Sequence, residues 1–385
     1  MVNKKEEIRI CLTGGSTAGH FLPLVFVAQE IRSLLKDSYS PVKIFYLGCR
    51  PLKPEVFSQE DISIFILPSV KLRKYFDIKN FVDLLKMPFS FFIAFYYLFK
   101  LMPNVVFSKG GPGTLEVVIA AWLLRIPILI HDSDALPGLS NFLASPFATK
   151  IALAFESAAN HFKFGKKRIF IAGQPIDRSI VREPILLTDY QRFGLDPERK
   201  LIVVMGGSQG SKFLNDLIVK TLPELLNFSQ VVHLTGDKFY QDTYLYAKGL
   251  VGQFDANKFS YYHPFPYLKH DDLIYLMKMA NLIISRAGSG TIFELASLGK
   301  PSILIPLDEK TAGLHQIKNA EIYAAYGAAE VLEEKNAKPT ILLTLIKDLL
   351  SDASRLEKMH NAALSFSKLD AGKIIASEII KIMIK

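Results

Sequence analysis

His20 lies in the run Gly14-Gly15-Ser16-Thr17-Ala18-Gly19-His20, directly after the short apolar stretch 8–13. With an ordinary pKa near 6.5, a neutral imidazole there could take a proton from a hydroxyl. A lone histidine is commonly structural, but the end of a parallel strand is where ligands collect. His131-Asp132-Ser133-Asp134 forms a second polar cluster past an apolar run. His131 and Asp132 have no third and fourth ligand at workable local spacing, so no metal site is expected. Two further runs suit phosphate: Gly206-Gly207-Ser208-Gln209-Gly210, and Arg286-Ala287-Gly288-Ser289-Gly290-Thr291 with Glu294 three residues on. Glycine lets backbone amides approach a diphosphate at the positive start of a helix, and a carboxylate can hold a ribose diol. Ser208 and Gln209 can supplement the amides. Thr291 and Glu294 also fit a helix-capping box, a reading compatible with ribose binding by Glu294.

The elements that must carry these residues follow from the apolar runs. Strand patterns at 8–13, 42–47, 63–67, 105–108, 128–131 and 151–154 alternate with helical or loop segments, as in parallel sheets with crossover helices. Pro23 is expected to precede the first helix, at 24–35, and Lys109-Gly110-Gly111-Pro112-Gly113 makes another glycine-rich turn. The pattern restarts with strands at 201–205, 231–234, 282–285 and 302–306 and helices at 213–226 and 292–298. Two βα series, each opened by a glycine turn, predict an α/β chain of two facing Rossmann-like domains with a cleft between them. We place the first domain at 1–173, a linker rich in Pro, Asp and Arg at 174–197, and the second domain at 198–365. A terminal helix, 366–385, is expected to pack back on the first domain.

Bulk properties exclude several classes. A chain of 385 residues, half of them apolar, fits two ordinary domains rather than a disordered segment. The net charge of +9 favours anionic partners. No recognition helix or stacking sheet accompanies it, so nucleic acid is not an expected partner. Two cysteines, Cys11 and Cys49, do not make a disulfide framework. Glu6 and Glu7 beside a very short apolar run leave no room for a signal-peptide core, which predicts a cytoplasmic chain. The apolar stretch 87–99 has 13 residues, whereas a span needs about 20. Between Lys71 and Lys100 there are six Lys or Arg, two acids and many aromatics. That pattern suits either a core helix with a basic end or a patch docking on an anionic membrane surface.

Taken in order, these motifs resemble the MurG family of peptidoglycan N-acetylglucosaminyltransferases over nearly the whole chain. The specific pieces are Gly206-Gly207-Ser208-Gln209-Gly210 and Arg286-Ala287-Gly288 running on to Glu294. His315-Gln316 with Asn319-Ala320, and the first loop through His20 and Pro23, support them. The resemblance implies a GT-B fold, with a UDP-GlcNAc donor in the second domain and an undecaprenyl-pyrophosphoryl muramyl-pentapeptide acceptor against the first. It also implies inverting transfer without a metal or other cofactor, on a protein bound peripherally to the cytoplasmic face of the membrane. Carried onto this chain, the donor residues are Ser208, Gln209, Gly210, Phe265, Arg286, Gly288, Ser289, Thr291, Glu294, His315 and Gln316. Glu294 would take the ribose, Gln316 with His315 the GlcNAc hydroxyls, and the Phe265 segment the uracil. Gly14, Gly15, Ser16, Thr17 and Gly19 would surround the acceptor diphosphate, with His20 as the base and Asp134 as its rival. The family's first loop is one residue shorter, and asparagine stands there where this chain has Asp134. The alternative is another GT-B transferase using a UDP-sugar on a different lipid or glycan.

Overall fold

The computed structural model describes residues 7–36, 40–68, 78–162, 166–181, 184–207, 209–309 and 314–384. Ser208 and residues 69–77 of the basic aromatic segment lie outside them, as do the side chains of 78–85.

The chain divides into two compact units, one of Met1–Asp177 with Lys368–Lys385 and the other of Arg178–Ser367. In the first, the strands are β1 (Ile8–Thr13), β2 (Val42–Gly48), β3 (Ile62–Ile66), β4 (Val105–Ser108), β5 (Ile128–Asp132), β6 (Lys150–Leu153) and β7 (Ile169–Ile171). They form a parallel sheet in the order β3-β2-β1-β4-β5-β6-β7. Helices α1 (Ala18–Leu34), α2 (Glu55–Gln59), α3 (Ile78–Leu101), α4 (Thr114–Leu123) and α5 (Leu139–Ala144) connect them. Both faces of this sheet are covered, one by Leu24, Val27 and Ile31 of α1, the other by Ala94 and Leu98 of α3 and Val117 and Val118 of α4. That is why the central strands read as unbroken apolar runs rather than alternating ones.

The second unit opens with α6 (Leu187–Arg192) and runs β8 (Lys200–Met205), α7 (Lys212–Leu225), β9 (Ser229–Leu234), α8 (Tyr240–Gly252) and β10 (Tyr262–Phe265). It continues with α9 (His270–Met279), β11 (Leu282–Ser285), α10 (Ser289–Ser297), β12 (Ser302–Leu304), α11 (His315–Ala325) and β13 (Ala329–Val331). Its parallel sheet has the order β10-β9-β8-β11-β12-β13. Helices α12 (Pro339–Ser351) and α13 (Ala353–Phe366) follow.

Three expectations are corrected. Helix α1 starts at Ala18 and contains Pro23, so Gly19 and His20 belong to its first turn rather than to a loop. Pro23 has no N–H to return to the Gly19 carbonyl, a loss tolerated this close to the helix start. Strands β7, β10 and β13 were not expected. Each is an edge strand of three or four residues, and β10 carries Pro264, which only an edge accommodates. The stretch read as linker holds a 3-10 turn, Arg178–Val181, and α6.

The last helix, α14 (Ala371–Ile384), belongs to the first unit and packs on α1. Ile375, Ile379 and Ile382 enter the same apolar cluster as Phe21, Leu24 and Ile31. Burying each isoleucine stabilises the unit by about 1.5–3 kcal/mol. Ile379→Ala is therefore expected to cost about 2–5 kcal/mol, read as a lower thermal midpoint. Ile384→Ala, at an 81% exposed position, serves as the control; equal shifts for the two would refute this packing.

Candidate active site

In the first unit, the turns after β1 and β4 are tied together by backbone, and the Lys109 ammonium, donating to Ser133 Oγ, joins the turn after β5 to them. Gly15 N donates to the Gly110 carbonyl at 3.0 Å and Lys109 N to the Thr13 carbonyl at 2.9 Å. Gly111 has φ +102°, and a Cβ there would sit 3.0 Å from Gly15 Cα and 3.1 Å from His20 Cδ2. The buried Tyr46 hydroxyl donates toward the Gly14 and Cys49 carbonyls, at 2.6 and 2.7 Å. His20 thus stands on the first turn of α1 against a glycine backbone, its Nδ1 2.8 Å from Thr17 Oγ1. Burial, then the charge of Lys109, push its pKa down to about 4 against the opposing pull of Asp134. The ring is neutral at neutral pH. When Nδ1–H donates to Thr17, Nε2 keeps the lone pair that a base needs.

The cluster after β5 separates into supports and a remaining acid. Asp132 Oδ1 accepts from Asp134 N at 3.2 Å, and its Oδ2 accepts from Gly138 N and Asn141 Nδ2 at 3.0 Å each. Asn141 Nδ2 also donates to the His131 carbonyl at 2.9 Å. His131 is buried, with Nε2 2.8 Å from the Gly173 carbonyl. A carbonyl only accepts, so Nε2 carries the proton. Burial holds the His131 pKa well below the usual histidine range. His131 and Asp132 therefore build the turn, and Asp134 stands half-buried beyond them. Ser16, whose carbonyl accepts from Leu52 N at 3.1 Å, Thr17 and Gly19 lie on the same rim. Among the described residues, no group of three or more His, Cys, Asp or Glu gathers as a metal site.

In the second unit, the turn after β8 is shaped by Gly207 at φ +87° and Gly210 at φ +73°. A Cβ on Gly210 would fall 2.2 Å from the Thr235 carbonyl, so only glycine permits this approach. Gln209 is exposed beside it. Ser211 caps α7, its Oγ accepting from Leu214 N at 3.3 Å. Arg286 is nearly buried, with Nη2 donating to Ser211 Oγ at 2.6 Å and pairing with Glu334 at 2.5 Å. Its Nη1 donates to the Ile305 carbonyl at 3.0 Å. The guanidinium of Arg286, a candidate donor ligand, thus holds the start of α7 and the ends of β12 and β13 beside the turn after β11.

Gln316 Oε1 accepts from Ala287 N at 3.3 Å and Leu307 N at 3.1 Å, which directs its NH2 group away from the frame. Asn319 Nδ2 holds the Ala287 carbonyl at 3.3 Å. These bonds set the turn that opens α10. That helix has Gly288 as its N-cap and no side-chain cap, so the amides of Ser289, Gly290 and Thr291 point at the space before it. The capping-box alternative fails: Thr291 is the third residue of the helix and Glu294 lies one turn farther on, half-buried. His315 begins α11. Phe265 ends β10, its carbonyl taken by Thr235 N at 3.0 Å and Thr235 Oγ1 at 3.2 Å. Behind Thr235, His233 lies between Tyr262 Oη at 2.9 Å and Asn215 Oδ1 at 3.0 Å. Burial pushes its pKa down to about 3. Lys109 opens the glycine-rich turn 109–113, but no sequence signal marks a role for it, nor for Asn141, Ser211 or this His233 network.

Both halves of the chain match family models, the glycosyltransferase family 28 N-terminal domain at residues 10–153 and the C-terminal domain at 201–374. The chain belongs to glycosyltransferase family 28. Within family 28 it is 36% identical, over 89% of this chain and 91% of the other, to a Bacillus anthracis protein. That protein is named UDP-N-acetylglucosamine–N-acetylmuramyl-(pentapeptide) pyrophosphoryl-undecaprenol N-acetylglucosamine transferase 2. A Clostridium botulinum protein of the corresponding name is 34% identical over 97% of this chain and 98% of its own. Among solved structures, Acinetobacter baumannii MurG has a TM-score of 0.72 at 23% identity, covering 97% of this chain and 99% of that one. A Neisseria meningitidis UDP-GlcNAc 2-epimerase bound to UDP-GlcNAc reaches 0.69 at 15% identity, with 97% and 99% covered. These likenesses agree with a GT-B member of family 28, built of two Rossmann-like domains.

Because Gly210 meets the Thr235 carbonyl, Gly210→Ala is expected to weaken UDP binding at least about tenfold while the protein stays folded. Titration calorimetry reads this, and wild-type affinity in the variant would remove the turn from the nucleotide site.

Proposed function

We propose that the protein transfers N-acetylglucosamine from UDP-GlcNAc to the undecaprenyl-pyrophosphoryl muramyl-pentapeptide, the step from lipid I to lipid II in peptidoglycan synthesis. The observation that carries this reading is the kinship, at 34–36% identity over most of both chains, with proteins named for that reaction. The side chains and amides of the two units suit a single inverting displacement. His20 Nε2 takes the acceptor hydroxyl proton as that oxygen bonds to the anomeric carbon. The carbon–oxygen bond to UDP breaks, and its electron pair leaves with the diphosphate.

On the donor side, the amides of the Gly206–Gly207 turn and of the α10 start meet the leaving diphosphate. Glu294 takes the ribose, and the NH2 of Gln316, with His315, faces the sugar hydroxyls. Gln209, Gly210, Ser289 and Thr291 line the phosphates, and Phe265 belongs to the uracil segment. On the acceptor side, Gly14, Gly15, Ser16 and Gly19 surround the lipid diphosphate. Thr17 orients His20, and Asp134 is the second candidate for the base. Stabilisation by amides and helix ends leaves no step that calls for a metal ion.

A peripheral location on the cytoplasmic membrane face completes the reading. No helix among the described residues is long and apolar enough to cross a membrane. On α3, Phe89, Phe92, Tyr96 and Phe99 are each more than half exposed and recur at three- and four-residue spacing along one stripe. Lys86 and Lys100 stand exposed near its ends. Such a stripe suits insertion at the headgroup boundary.

The deciding assay follows UDP-GlcNAc and a short-chain lipid-linked muramyl-pentapeptide by product mass, with EDTA present. One GlcNAc per acceptor is expected, and no product, or turnover lost to EDTA alone, contradicts the reading. In the same assay His20→Ala should lower kcat by about 10²–10⁴-fold with UDP-GlcNAc binding retained. Near-normal turnover would pass the role to Asp134. Flotation with anionic vesicles should carry the wild type and fail for Phe89→Ser/Phe92→Ser/Phe99→Ser; equal flotation would detach this stripe from the membrane.

A further inference from the structure

The turn after β4 contains a buried cation that the chemistry described so far does not use. Lys109 is 3% exposed. Its backbone N–H is held by Thr13, its ammonium donates to Ser133 Oγ, and a Cβ on Gly14 would lie 3.6 Å from its own Cβ. It is therefore fixed where the turns after β1, β4 and β5 meet. It is itself held charged by Asp132 and Asp134, favours the ionised form of Asp132, and disfavours protonated His20 and His131. Asp134 acts on His20 in the opposite sense. Burial brings the Lys109 pKa down to about 8 while the two carboxylates hold it up, so the ammonium is largely charged at neutral pH. A buried ammonium persists only where anions repay its lost hydration.

We propose that Lys109 is the counter-charge of the acceptor-side site, a positioning residue that offsets Asp132 and Asp134. It adds to burial in keeping the His20 lone pair free, and through it the two acids do not meet an incoming acceptor diphosphate unopposed. Without the ammonium, both carboxylates would repel the diphosphate, and Asp134 would draw a proton onto His20. This rests on the reading of the first-unit rim as the diphosphate site and of His20 as the base.

The test compares full-length wild type, Lys109→Met, Asp134→Asn and the double variant in steady-state transfer from UDP-GlcNAc to the short-chain lipid acceptor. Each is measured across pH, with its thermal midpoint checked. Lys109→Met should raise the acceptor KM about tenfold or more, leave the donor KM within about twofold, and move the acid limb of kcat/KM upward by about half a pH unit or more. Asp134→Asn alone should move that limb down. Added to Lys109→Met, it should recover much of the acceptor KM, a coupling that loss of packing alone does not produce.

Wild-type acceptor KM and acid limb in folded Lys109→Met, or no relief from the second substitution, would overturn the proposal. If Lys109→Met does not fold, an unmoved limb in Asp134→Asn overturns it equally. Should His20→Ala retain turnover, the base assignment falls separately, while the KM coupling of Lys109 and Asp134 still decides the counter-charge.

Discussion

A parallel strand delivers its last amide and carbonyl to the sheet edge without a ladder partner for them, and in both units every strand runs the same way. The chemistry-bearing groups are all held at that edge by what satisfies those backbone groups. In the first unit the turns satisfy one another, Gly15 with Gly110 and Lys109 with Thr13. In the second, side chains do much of it: Gln316 takes two turn amides, and Arg286 takes a carbonyl and a helix cap. Loosening any of these ties would move an amide or an imidazole away from where a phosphate or hydroxyl must be met, and catalytic geometry tolerates displacements of only about 1 Å.

The two units solve the cost of buried polarity differently. Behind the nucleotide turn, His233, Asn215 and Tyr262 form a neutral network whose histidine takes a proton only near pH 3. That frame keeps one charge state throughout the neutral range. The His20 rim of the first unit is instead built from charges, with Lys109 among Asp132, Asp134 and His20. For His20 the sign is plain. Its folded pKa lies below the ordinary value, so its contribution to stability is whole above pH 6.5 and is lost as pH falls toward 4. Burial keeps both imidazoles unprotonated and makes both frames acid-sensitive, the His233 network over the wider window, from about pH 6.5 toward 3.

Long apolar runs were readable because strands covered on both faces must be apolar throughout: β1, β4 and β11 occupy the predicted residues. Edge strands of three or four residues, such as Ile169–Ile171 and Ala329–Val331, carry no period to detect. Helix starts were misplaced in a consistent direction. Pro23 and the Thr291–Glu294 spacing both resemble start signals, yet α1 and α10 begin earlier, where glycines leave the amides open. The glycine turns and Gln316 were legible as local motifs. Lys109, Asn141 and His233 were not, because their roles come from partners 9 to 29 residues away that only the fold brings together.

The aromatic helix shows why membrane docking and a soluble core need not conflict. Ser90, Ala94 and Leu98 of α3 are fully buried against the first unit, while Phe89, Phe92, Tyr96 and Phe99 face outward. A helix with one face committed to the core cannot enter the bilayer without exposing that core, which sets a limit on depth. The outward rings can reach only the headgroup boundary, where aromatics are favoured and exposed Lys86 and Lys100 remain hydrated. For an acceptor whose polyisoprenyl tail stays in the bilayer, shallow seating suffices. On the proposed reading, only its diphosphate and sugar have to rise to the rim on which His20 stands.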